Sequence, residues 1–266
     1  MTGSNDSSPQ PQLQPQPQPS SRAERVALVI GGTRGIGLAT ARELAAGGAT
    51  VLLTGTRQQA AETQARRIAD DYGVPVEGIE LDLRNLASVG PAVRAAATRH
   101  GGLDALVISA GVMKSTPLGL IDAPVAREIV DINLLGAVEA LQAAAKVMMR
   151  RRRGAMVLLA SLVGECGAAG QSVYAATKAA MGALARSAAR ELGPLGIRVN
   201  AVAPGLIDTD LIADLPPALI EARCAQTALR RIGSAAEVAA VIAFLLGDQA
   251  SFVTGQVLGI DGGLVL

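Results

Sequence analysis

The residues best placed for acid–base chemistry in this sequence are Tyr174 and Lys178, in the alanine-rich stretch SVYAATKAA. They are four residues apart, so on a helix they lie on one face. A free tyrosine has a pKa of about 10, too high for efficient proton exchange at neutral pH, and a neighbouring ammonium lowers that pKa by stabilising the phenolate. Such a tyrosine can give a proton to a carbonyl oxygen. Taken alone, the spacing also fits an interfacial tyrosine beside a surface lysine.

Ser161 ends the apolar stretch AMVLLAS, a short distance before the tyrosine. Its hydroxyl could hydrogen-bond the same carbonyl oxygen and hold it in line for reaction. The three side chains together predict a site that reduces a carbonyl while hydride arrives at its carbon.

A glycine-rich stretch, GGTRGIG at 31–37, lies between a predicted strand and a predicted helix. Glycines there let backbone amides approach a pyrophosphate, and the helix N-terminus favours an anion. A tight strand-to-helix turn without a ligand is the alternative. The candidate cofactor-binding residues in this stretch are Gly31, Thr33, Arg34, Gly35, Ile36 and Gly37.

The end of the second predicted strand, TGTR, indicates which dinucleotide would bind. An acidic residue there would hydrogen-bond the ribose of NAD, but Thr56 and Arg57 occupy the place and Arg34 lies in the glycine turn. Two guanidinium groups and a hydroxyl suit a 2′-phosphate, so we predict NADP(H) as the cofactor. Arg57 could instead be a solvated residue in the first turn of the next helix.

Two further stretches follow predicted strands. After the third, Asp82 and Leu83 stand where a carboxylate could accept a bond from the adenine amino group, or cap the helix beginning near Asn85. After the fourth, Ala110 and Gly111 supply small residues where the chain must pass under the cofactor.

The elements that must position these residues alternate regularly along the chain. Strands are predicted at 26–30, 50–54, 76–82, 105–109, 155–160, 197–202 and 253–260, and helices at 35–47, 58–72, 85–100, 129–151, 172–192 and 234–247. Apolar strands separated by helices imply right-handed crossovers and a parallel sheet covered on both faces. The predicted fold class is α/β, a single-domain doubly wound parallel sheet (Rossmann fold) over 25–266. Ligands bind such sheets beyond the carboxyl ends of the strands.

The first 24 residues differ in composition, because Pro alternates with Gln in SPQPQLQPQPQPSS. This spacing suits neither helix nor sheet, so we predict an extended, disordered tail over 1–24. It lacks the apolar stretch of a secretory signal and the arginines of a transit peptide. We expect a cytoplasmic protein, with the matrix of a mitochondrion or plastid as the alternative.

Composition excludes several other classes of protein and kinds of site. The formal net charge of the 266 residues is +1, which gives no reason to expect nucleic acid or a charged membrane surface. No apolar run reaches the roughly 18 residues of a membrane span. Cys166 and Cys224 are read as free thiols. The single histidine, His100, excludes a multi-histidine site, and no metal is predicted.

From residue 25 to residue 266 the chain resembles the short-chain dehydrogenase/reductase family, and within it the 3-oxoacyl-(acyl-carrier-protein) reductases and carbonyl reductases. The resemblance rests on GGTRGIG, LDL, SAG, INLLG, ASLVG, GQSVYAATKAA, IRVNAVAPGLIDTD and VTGQVLGIDGG, in the family's order.

The resemblance implies a catalytic tetrad. Tyr174 would be the general acid, Ser161 would bind the substrate oxygen, and Lys178 would bind the nicotinamide ribose. Asn133, in INLLG, would hold a water in a proton relay to the lysine. The family pattern also implies that Pro204, Gly205, Ile207 and Thr209 touch the nicotinamide carboxamide, and that Arg34 and Thr56 contact the 2′-phosphate.

The chain departs from the family pattern at two places. Ile30 replaces the usual Thr before the first glycine, and Ile108-Ser109 replaces the Asn-Asn that normally braces the sheet and the cofactor loop. We expect the tetrad to work without these asparagines, with an effect on cofactor affinity. Some relatives of this type are partner subunits of mixed tetramers, so a non-catalytic, cofactor-binding subunit is one alternative.

The substrate predicted from the resemblance is a 3-oxoacyl thioester, carried by acyl carrier protein or CoA and reduced in fatty acid biosynthesis. A carbonyl, quinone or steroid reductase is the other alternative. Residues 211–226 could be a lid or a helix pair packed on a neighbouring subunit. The run Arg150–Arg153 could be a solvated helix end or a dock for an acidic carrier. The resemblance also implies a homotetramer built through 129–151, 172–192 and the C-terminal strand.

Overall fold

The computed structural model of the chain describes residues 25–210, 212 and 216–264. The predicted tail, 1–24, lies outside these residues, as does part of the segment 211–226. The strands are β1 Val26–Ile30, β2 Thr50–Gly55, β3 Val76–Glu80, β4 Ala105–Ile108, β5 Gly154–Leu159, β6 Ile197–Pro204, β7 Ile207–Asp208, β8 Gly233–Ser234 and β9 Val257–Ile260.

Seven of these strands form one parallel sheet in the order β3-β2-β1-β4-β5-β6-β9, while β7 and β8 form a separate parallel pair. The order reverses beside β1, so the chain winds outward in both directions from the middle of the sheet. The doubly wound α/β fold predicted from the sequence is confirmed. This topology places the ligand crevice beyond the carboxyl ends of β1 and β4.

Helices cover both faces of the sheet. They are α1 Gly35–Ala46, α2 Gln58–Tyr72, α3 Leu86–Arg99, α4 Ala123–Val130, α5 Gly136–Arg151, α6 Val163–Cys166, α7 Ser172–Leu192, α8 Pro217–Gln226 and α9 Ala235–Leu246. In β1, Leu28 and Ile30 pack in the core with α3, α5 and α7, whereas Ala27 and Val29 pack in the core with α1, α2 and α9. Successive strand residues face opposite sides, so burial on both faces requires the continuous apolar runs of this sequence.

The long helix predicted over 129–151 begins earlier, at Ala123, and is not uniformly α-helical. Asp122 precedes it and a proline stands in its first turn, where the missing N–H costs no helical hydrogen bond. Between α4 and α5 the segment Asp131–Leu135 is a π-helical turn, an irregularity often found at functional sites. At Gly136 an added Cβ would lie 2.7 Å from the Leu83 Cβ, so this part of the helix packs closely on the loop after β3.

Two short features, α6 and the β7–β8 pair, have no counterpart in the sequence prediction, whereas α8 lies in the segment 211–226, for which a lid or a helix pair is predicted. The pair leads into α9 through a capping box, in which Ser234 accepts a bond from the Glu237 backbone and the Glu237 side chain accepts one from the Ser234 backbone. The last strand also begins later than predicted, at Val257. Elements of two to four residues lack the periodicity from which longer ones are recognised.

Within the described part of the chain, one helical segment, Ala123–Arg151, has the length and mean hydropathy (1.2) of a membrane span. Half of its most apolar window is buried inside the fold, and Ala140, Ala144 and Met148 pack in the core. Burial against the sheet accounts for its apolar character.

Candidate active site

A cavity of ≈ 770 Å³ lies at the carboxyl ends of the strands. Each strand from β1 to β6 contributes to its wall through the residues that immediately follow it. The predicted site residues on its wall are Gly31, Thr33, Arg34, Gly35, Ile36, Thr56, Arg57, Asp82, Leu83, Ala110, Gly111, Ser161, Tyr174, Lys178, Pro204, Gly205, Ile207 and Thr209. Gly37 and Asn133 are the predicted residues that do not line it.

The glycines after β1 are required by close packing as well as by any ligand. Gly31 has φ +82°, and an added Cβ would lie 2.7 Å from the Ala110 backbone nitrogen. Gly37 is buried beneath the turn, where a Cβ would lie 2.0 Å from the Gly31 carbonyl oxygen. Helix α1 therefore approaches the turn so closely that its N-terminal N–H groups face the cavity.

The far end of the cavity carries cationic and hydroxyl side chains. Thr56 and Arg57 are exposed after β2, and no carboxylate follows that strand before α2 begins. Arg34 is also exposed, and its Nη1 lies 3.5 Å from Asp210 Oδ2. An ion pair this exposed contributes little to stability, so Arg34 can exchange it for a phosphate. The donor set fits a phosphorylated ribose.

Of the two roles considered for Asp82, the helix cap is wrong, and the contact with an adenine amino group stays a prediction. Its carboxylate accepts bonds from the Arg84 guanidinium at 2.7–3.0 Å and from the Arg84 backbone N–H at 3.0 Å. These hydrogen bonds hold the pKa of Asp82 below its usual value. Helix α3 begins after Asn85 without a side-chain cap. Asp82 therefore fixes Arg84, which also lines the cavity.

Ser161, Tyr174 and Lys178 meet where β5 ends and α7 begins. Tyr174 is in the first turn of α7, and the Lys178 Nζ lies 5.7 Å from the centre of its ring. Helix α6 packs tightly on α7, since a Cβ at Gly164 would lie 2.6 Å from the Ala179 nitrogen. This packing holds the preceding Ser161 beside the phenol. The arrangement on the helix is as the sequence predicts.

Burial shifts the pKa values of the tyrosine and the lysine toward their neutral forms. It raises the pKa of Tyr174, while an interaction with the Ser161 hydroxyl acts in the opposite direction. Burial lowers the pKa of Lys178 to about 8. The expected depression of the tyrosine pKa is therefore wrong for the chain by itself, because desolvation of the phenol outweighs the groups that stabilise its anion. The Lys178 ammonium donates a hydrogen bond to the Leu159 carbonyl at 2.8 Å.

Asn133 lies in the π-helical turn and is buried. Its Oδ1 accepts a bond from the Val112 N–H at 2.8 Å, and its Nδ2 donates to the Val112 carbonyl at 2.9 Å and to Thr177 Oγ1 at 3.2 Å. The side chain thus clamps the loop after β4 to α7. A Cβ on Gly111 would lie 3.3 Å from Asn133 Oδ1 and 3.4 Å from Lys178 Nζ. Asn133 is therefore close to the lysine, and its role in a proton relay stays a prediction.

The loop after β4 is held without the family's two asparagines. The N–H groups of Ser109 and Ala110 both donate to the Ile30 carbonyl, at 2.9 and 3.0 Å. The Asn133 clamp on Val112 follows directly along the chain. Backbone hydrogen bonds and a distant asparagine therefore fix the position of Gly111.

Sequence reasoning missed several polar residues on the cavity wall, among them Arg84, Gln171 and Arg223. Gln171 precedes α7, and its Oε1 is buried without a hydrogen-bond partner among the described residues. It stands three residues before Tyr174, a spacing that could have identified it. For the other two no signal existed in the sequence, because an arginine in an exposed helix or loop is common.

Within the described residues no group of His, Cys, Asp and Glu side chains could hold a metal ion. Cys166 and Cys224 are free, as predicted.

Comparisons with known proteins agree with this geometry. A family model described as Enoyl-(Acyl carrier protein) reductase matches residues 31–265. The 3-oxoacyl-(acyl-carrier-protein) reductase FabG of Aquifex aeolicus (strain VF5) is 38% identical, over 90% of this chain and 97% of its own. Cis-4-hydroxycyclohexanecarboxylate dehydrogenase of Sinomonas cyclohexanicum is 40% identical, over 91% and 96%.

A solved structure gives the same result. A short-chain type dehydrogenase/reductase from Mycobacterium ulcerans superimposes with a TM-score of 0.87 at 35% identity, covering 90% of this chain and 89% of that one. Family match, fold and site geometry agree, and so the chain belongs to the short-chain dehydrogenase/reductase family of nicotinamide-dependent oxidoreductases.

Proposed function

We propose that the protein reduces a 3-oxoacyl thioester, linked to acyl carrier protein or CoA, to the 3-hydroxyacyl thioester with NADPH, in fatty acid biosynthesis. The observation that carries the proposal is the meeting of Ser161, Tyr174 and Lys178 on the wall of one cavity with the glycine turn after β1. The similarity to a 3-oxoacyl-(acyl-carrier-protein) reductase over nearly the whole chain supports this substrate class.

In this reaction Tyr174 donates its proton to the substrate carbonyl oxygen, and Ser161 hydrogen-bonds the same oxygen and orients it. Hydride for the carbonyl carbon is the chemistry that the reduced nicotinamide supplies when bound. Burial favours the neutral phenol, so the proton to be donated is present at neutral pH. Lys178 binds the nicotinamide ribose and stabilises the phenolate left after transfer. Asn133 holds the water through which that phenolate is reprotonated.

The preference for NADPH rests on charge. Arg34, Thr56 and Arg57 are exposed where a 2′-phosphate would lie, and Arg34 would exchange its exposed ion pair with Asp210 for the phosphate. The glycine turn and the N-terminus of α1 would hold the pyrophosphate. Pro204, Gly205, Ile207 and Thr209 would hold the nicotinamide carboxamide.

The run Arg150–Arg153 lies at the end of α5, just before β5 begins. It is therefore at the amino end of the strands, whereas Ser161 follows the carboxyl end of β5. Arg151 and Arg153 pair with buried Asp104, at 3.5 and 2.8 Å, and Arg152 donates to the Pro194 carbonyl at 2.9 Å. The run is therefore largely a structural helix end. We propose that an acidic carrier bound there would serve the cavity of a neighbouring subunit in the proposed homotetramer.

A second candidate function keeps the chemistry and changes the substrate to another ketone, including quinones and steroids. The similarity to a cis-4-hydroxycyclohexanecarboxylate dehydrogenase favours it. A non-catalytic partner subunit is less well supported, because Ser161, Tyr174 and Lys178 are all present and adjoining. We place the protein in the cytoplasm, with an organelle matrix as the alternative location.

The proposal is tested by following NADPH consumption with acetoacetyl thioesters, in the wild type and in Tyr174→Phe. We expect turnover that the substitution lowers by about 10²–10⁴-fold, the usual contribution of a general acid. NADPH binding, measured by fluorescence, should be retained in both proteins. Turnover of simple ketones but not of thioesters would favour the second candidate, and NADPH binding without any turnover would favour the partner subunit.

A further inference from the structure

Helix α8 presents two side chains to the cavity, Leu219 and Arg223. They are four residues apart, so they lie on one face of the helix about one turn from each other. Leu206, Ile212 and Leu264 add to the apolar wall of the same cavity. This wall therefore has an apolar surface with one cation beside it.

Arg223 has no acidic partner within the described part of the chain. Its one polar contact there is a weak one, 3.4 Å from Nη1 to Gln226 Oε1 on its own helix. It is half-buried, so its charge is partly removed from water. A cation in that position is stabilised by an anion that enters the cavity.

The position of Arg223 in the last turn of α8 does not by itself explain why an arginine stands there. A cation there is favoured by the helix dipole, but another arginine, Arg230, donates to the Ala225 carbonyl at the end of this helix. Asp210, a carboxylate of the same wall, lies 3.5 Å from Arg34 and has no described contact with Arg223. Neither the helix end nor this carboxylate therefore gives Arg223 a described partner.

The remaining cations on the cavity wall also have assignments. Arg84 is held by Asp82, Lys178 is bonded to the Leu159 carbonyl beside Tyr174, and Arg34 and Arg57 are proposed for the 2′-phosphate. Arg223 remains as the cation of this wall that has neither an acidic partner among the described residues nor a place in the proposed cofactor site.

We propose that Arg223 binds an oxyanion of the substrate, separated from the reacting carbonyl by an apolar segment. The inference rests on the proposed reduction of a carbonyl in this cavity, and it adds that the preferred substrate is anionic. A carboxylate on the acyl group and a phosphate on the carrier arm share this chemistry, and both would form charge-assisted hydrogen bonds with the guanidinium.

The experiment compares two pairs of substrates that differ in charge. Acetoacetyl-CoA is paired with acetoacetyl-N-acetylcysteamine, which lacks phosphate, and 4-oxocyclohexanecarboxylate is paired with its methyl ester. Values of kcat/KM are measured for the wild type, Arg223→Gln, Arg223→Lys and Arg67→Gln. Arg67 is an exposed arginine of α2 outside the cavity, so its substitution is a control for net charge.

In Arg223→Gln, kcat/KM should fall about tenfold or more for the anionic member of one pair, as expected for loss of a charge-assisted hydrogen bond. The loss should appear mainly in KM. The neutral member should change by less than about twofold, Arg67→Gln should resemble the wild type, and Arg223→Lys should recover part of the preference. The pair that responds identifies the source of the oxyanion. Equal loss for anionic and neutral members, or no loss, would overturn the inference while leaving the reductase proposal intact.

If no substrate is turned over, the proposed function fails, and the inference is decided by binding. Titration calorimetry of the NADPH-loaded protein with acetoacetyl-CoA and with 4-oxocyclohexanecarboxylate then replaces kinetics. Binding of either compound that Arg223→Gln weakens about tenfold, with Arg67→Gln unchanged, supports the anion site. Binding of neither, or binding indifferent to Arg223, rules it out.

Discussion

Tyr174 and Lys178 are both removed from water, and burial acts on their pKa values in opposite directions. The tyrosine is favoured as the neutral phenol, and the lysine ammonium loses its proton near pH 8. Proton donation to a carbonyl requires the phenol, whereas stabilisation of the resulting phenolate requires the ammonium. At neutral pH both required forms are present, because the shifts leave Tyr174 protonated and Lys178 still mostly charged.

The lysine shift makes stability depend on pH. Lys178 has an ordinary pKa of 10.5, lowered in the folded chain to about 8, so between these values the unfolded state binds more protons and the free energy of unfolding rises with pH. The contribution should be about 1.5 kcal/mol from about pH 8 to about pH 9.5. Tyr174, whose pKa is raised, reduces stability only near and above its ordinary value of 10.0.

Urea unfolding of the wild type and Lys178→Met over this pH range checks the prediction. As pH rises, the free energy of unfolding of the wild type should increase relative to that of Lys178→Met. The two proteins share every other side chain, so the contributions of those side chains cancel in the difference. A difference that stays constant with pH would show that the lysine keeps its ordinary pKa.

The proposed preference for NADPH can be tested at Thr56. Thr56→Asp places a carboxylate where a 2′-phosphate is proposed to lie and where NAD would offer a ribose hydroxyl. The ratio of kcat/KM for NADPH to that for NADH should fall about tenfold or more, the effect of about 1.4 kcal/mol. Thr98→Asp, an equal charge change on exposed α3, should leave the ratio unchanged. An unchanged ratio in Thr56→Asp would place the phosphate elsewhere.

At the scale of elements, the cavity exists because α1 and α6 can approach their neighbours closely. Three glycines make these contacts possible: Gly31 under the loop after β4, Gly37 under the glycine turn and Gly164 against α7. Any Cβ at these positions would lie within 3 Å of backbone atoms. Close packing of the backbone therefore requires the glycines of the turn as much as the binding of a ligand would.

Gly37→Ala tests this element-scale argument. Its Cβ would lie 2.0 Å from the Gly31 carbonyl oxygen, so α1 must move away from the turn. We expect a loss of about 1–3 kcal/mol in the free energy of unfolding and weaker NADPH binding. Gly193→Ala is the matched control, because nothing lies within 4 Å of its added Cβ and its φ is −54°. Normal stability and binding in Gly37→Ala would refute the argument.

At the scale of the whole molecule, large apolar side chains remain exposed near the last strand. Phe252 is fully exposed, and Leu258 of β9 and Phe244 of α9 are also exposed. Strand β9 is the edge of the sheet, and an exposed apolar edge is a site for association. The exposure supports the proposed homotetramer, one of whose interfaces would use this edge.

Light scattering after gel filtration measures the assembly directly. We expect the mass of a tetramer for the wild type and a smaller species for Phe252→Asp, since the new charge would be buried in the interface. Tyr72→Asp, on the exposed side of α2, should leave the mass unchanged. A monomeric wild type, or a tetramer in Phe252→Asp, would contradict this use of the edge.

The sequence by itself determined the order of the main strands and helices and the grouping of Ser161, Tyr174 and Lys178. Continuous apolar runs separated by helical segments specify buried parallel strands. The positions of Ser161, Tyr174 and Lys178 relative to those runs place them at the carboxyl ends of the strands. These are local properties, carried by residue type and spacing. The start of the long helix and the elements of two to four residues were not predictable in this way, because they depend on packing.

Only the tertiary structure decided which partner each polar residue has. Asp82 binds Arg84 rather than capping a helix, Arg151 and Arg153 pair with Asp104 across the sheet edge, and Arg223 is left facing the cavity. The tertiary structure also decided the direction of the Tyr174 pKa shift. Burial and ion pairing join residues distant in sequence, and desolvation depends on every atom around a group. Neither can therefore be obtained from spacing along the chain.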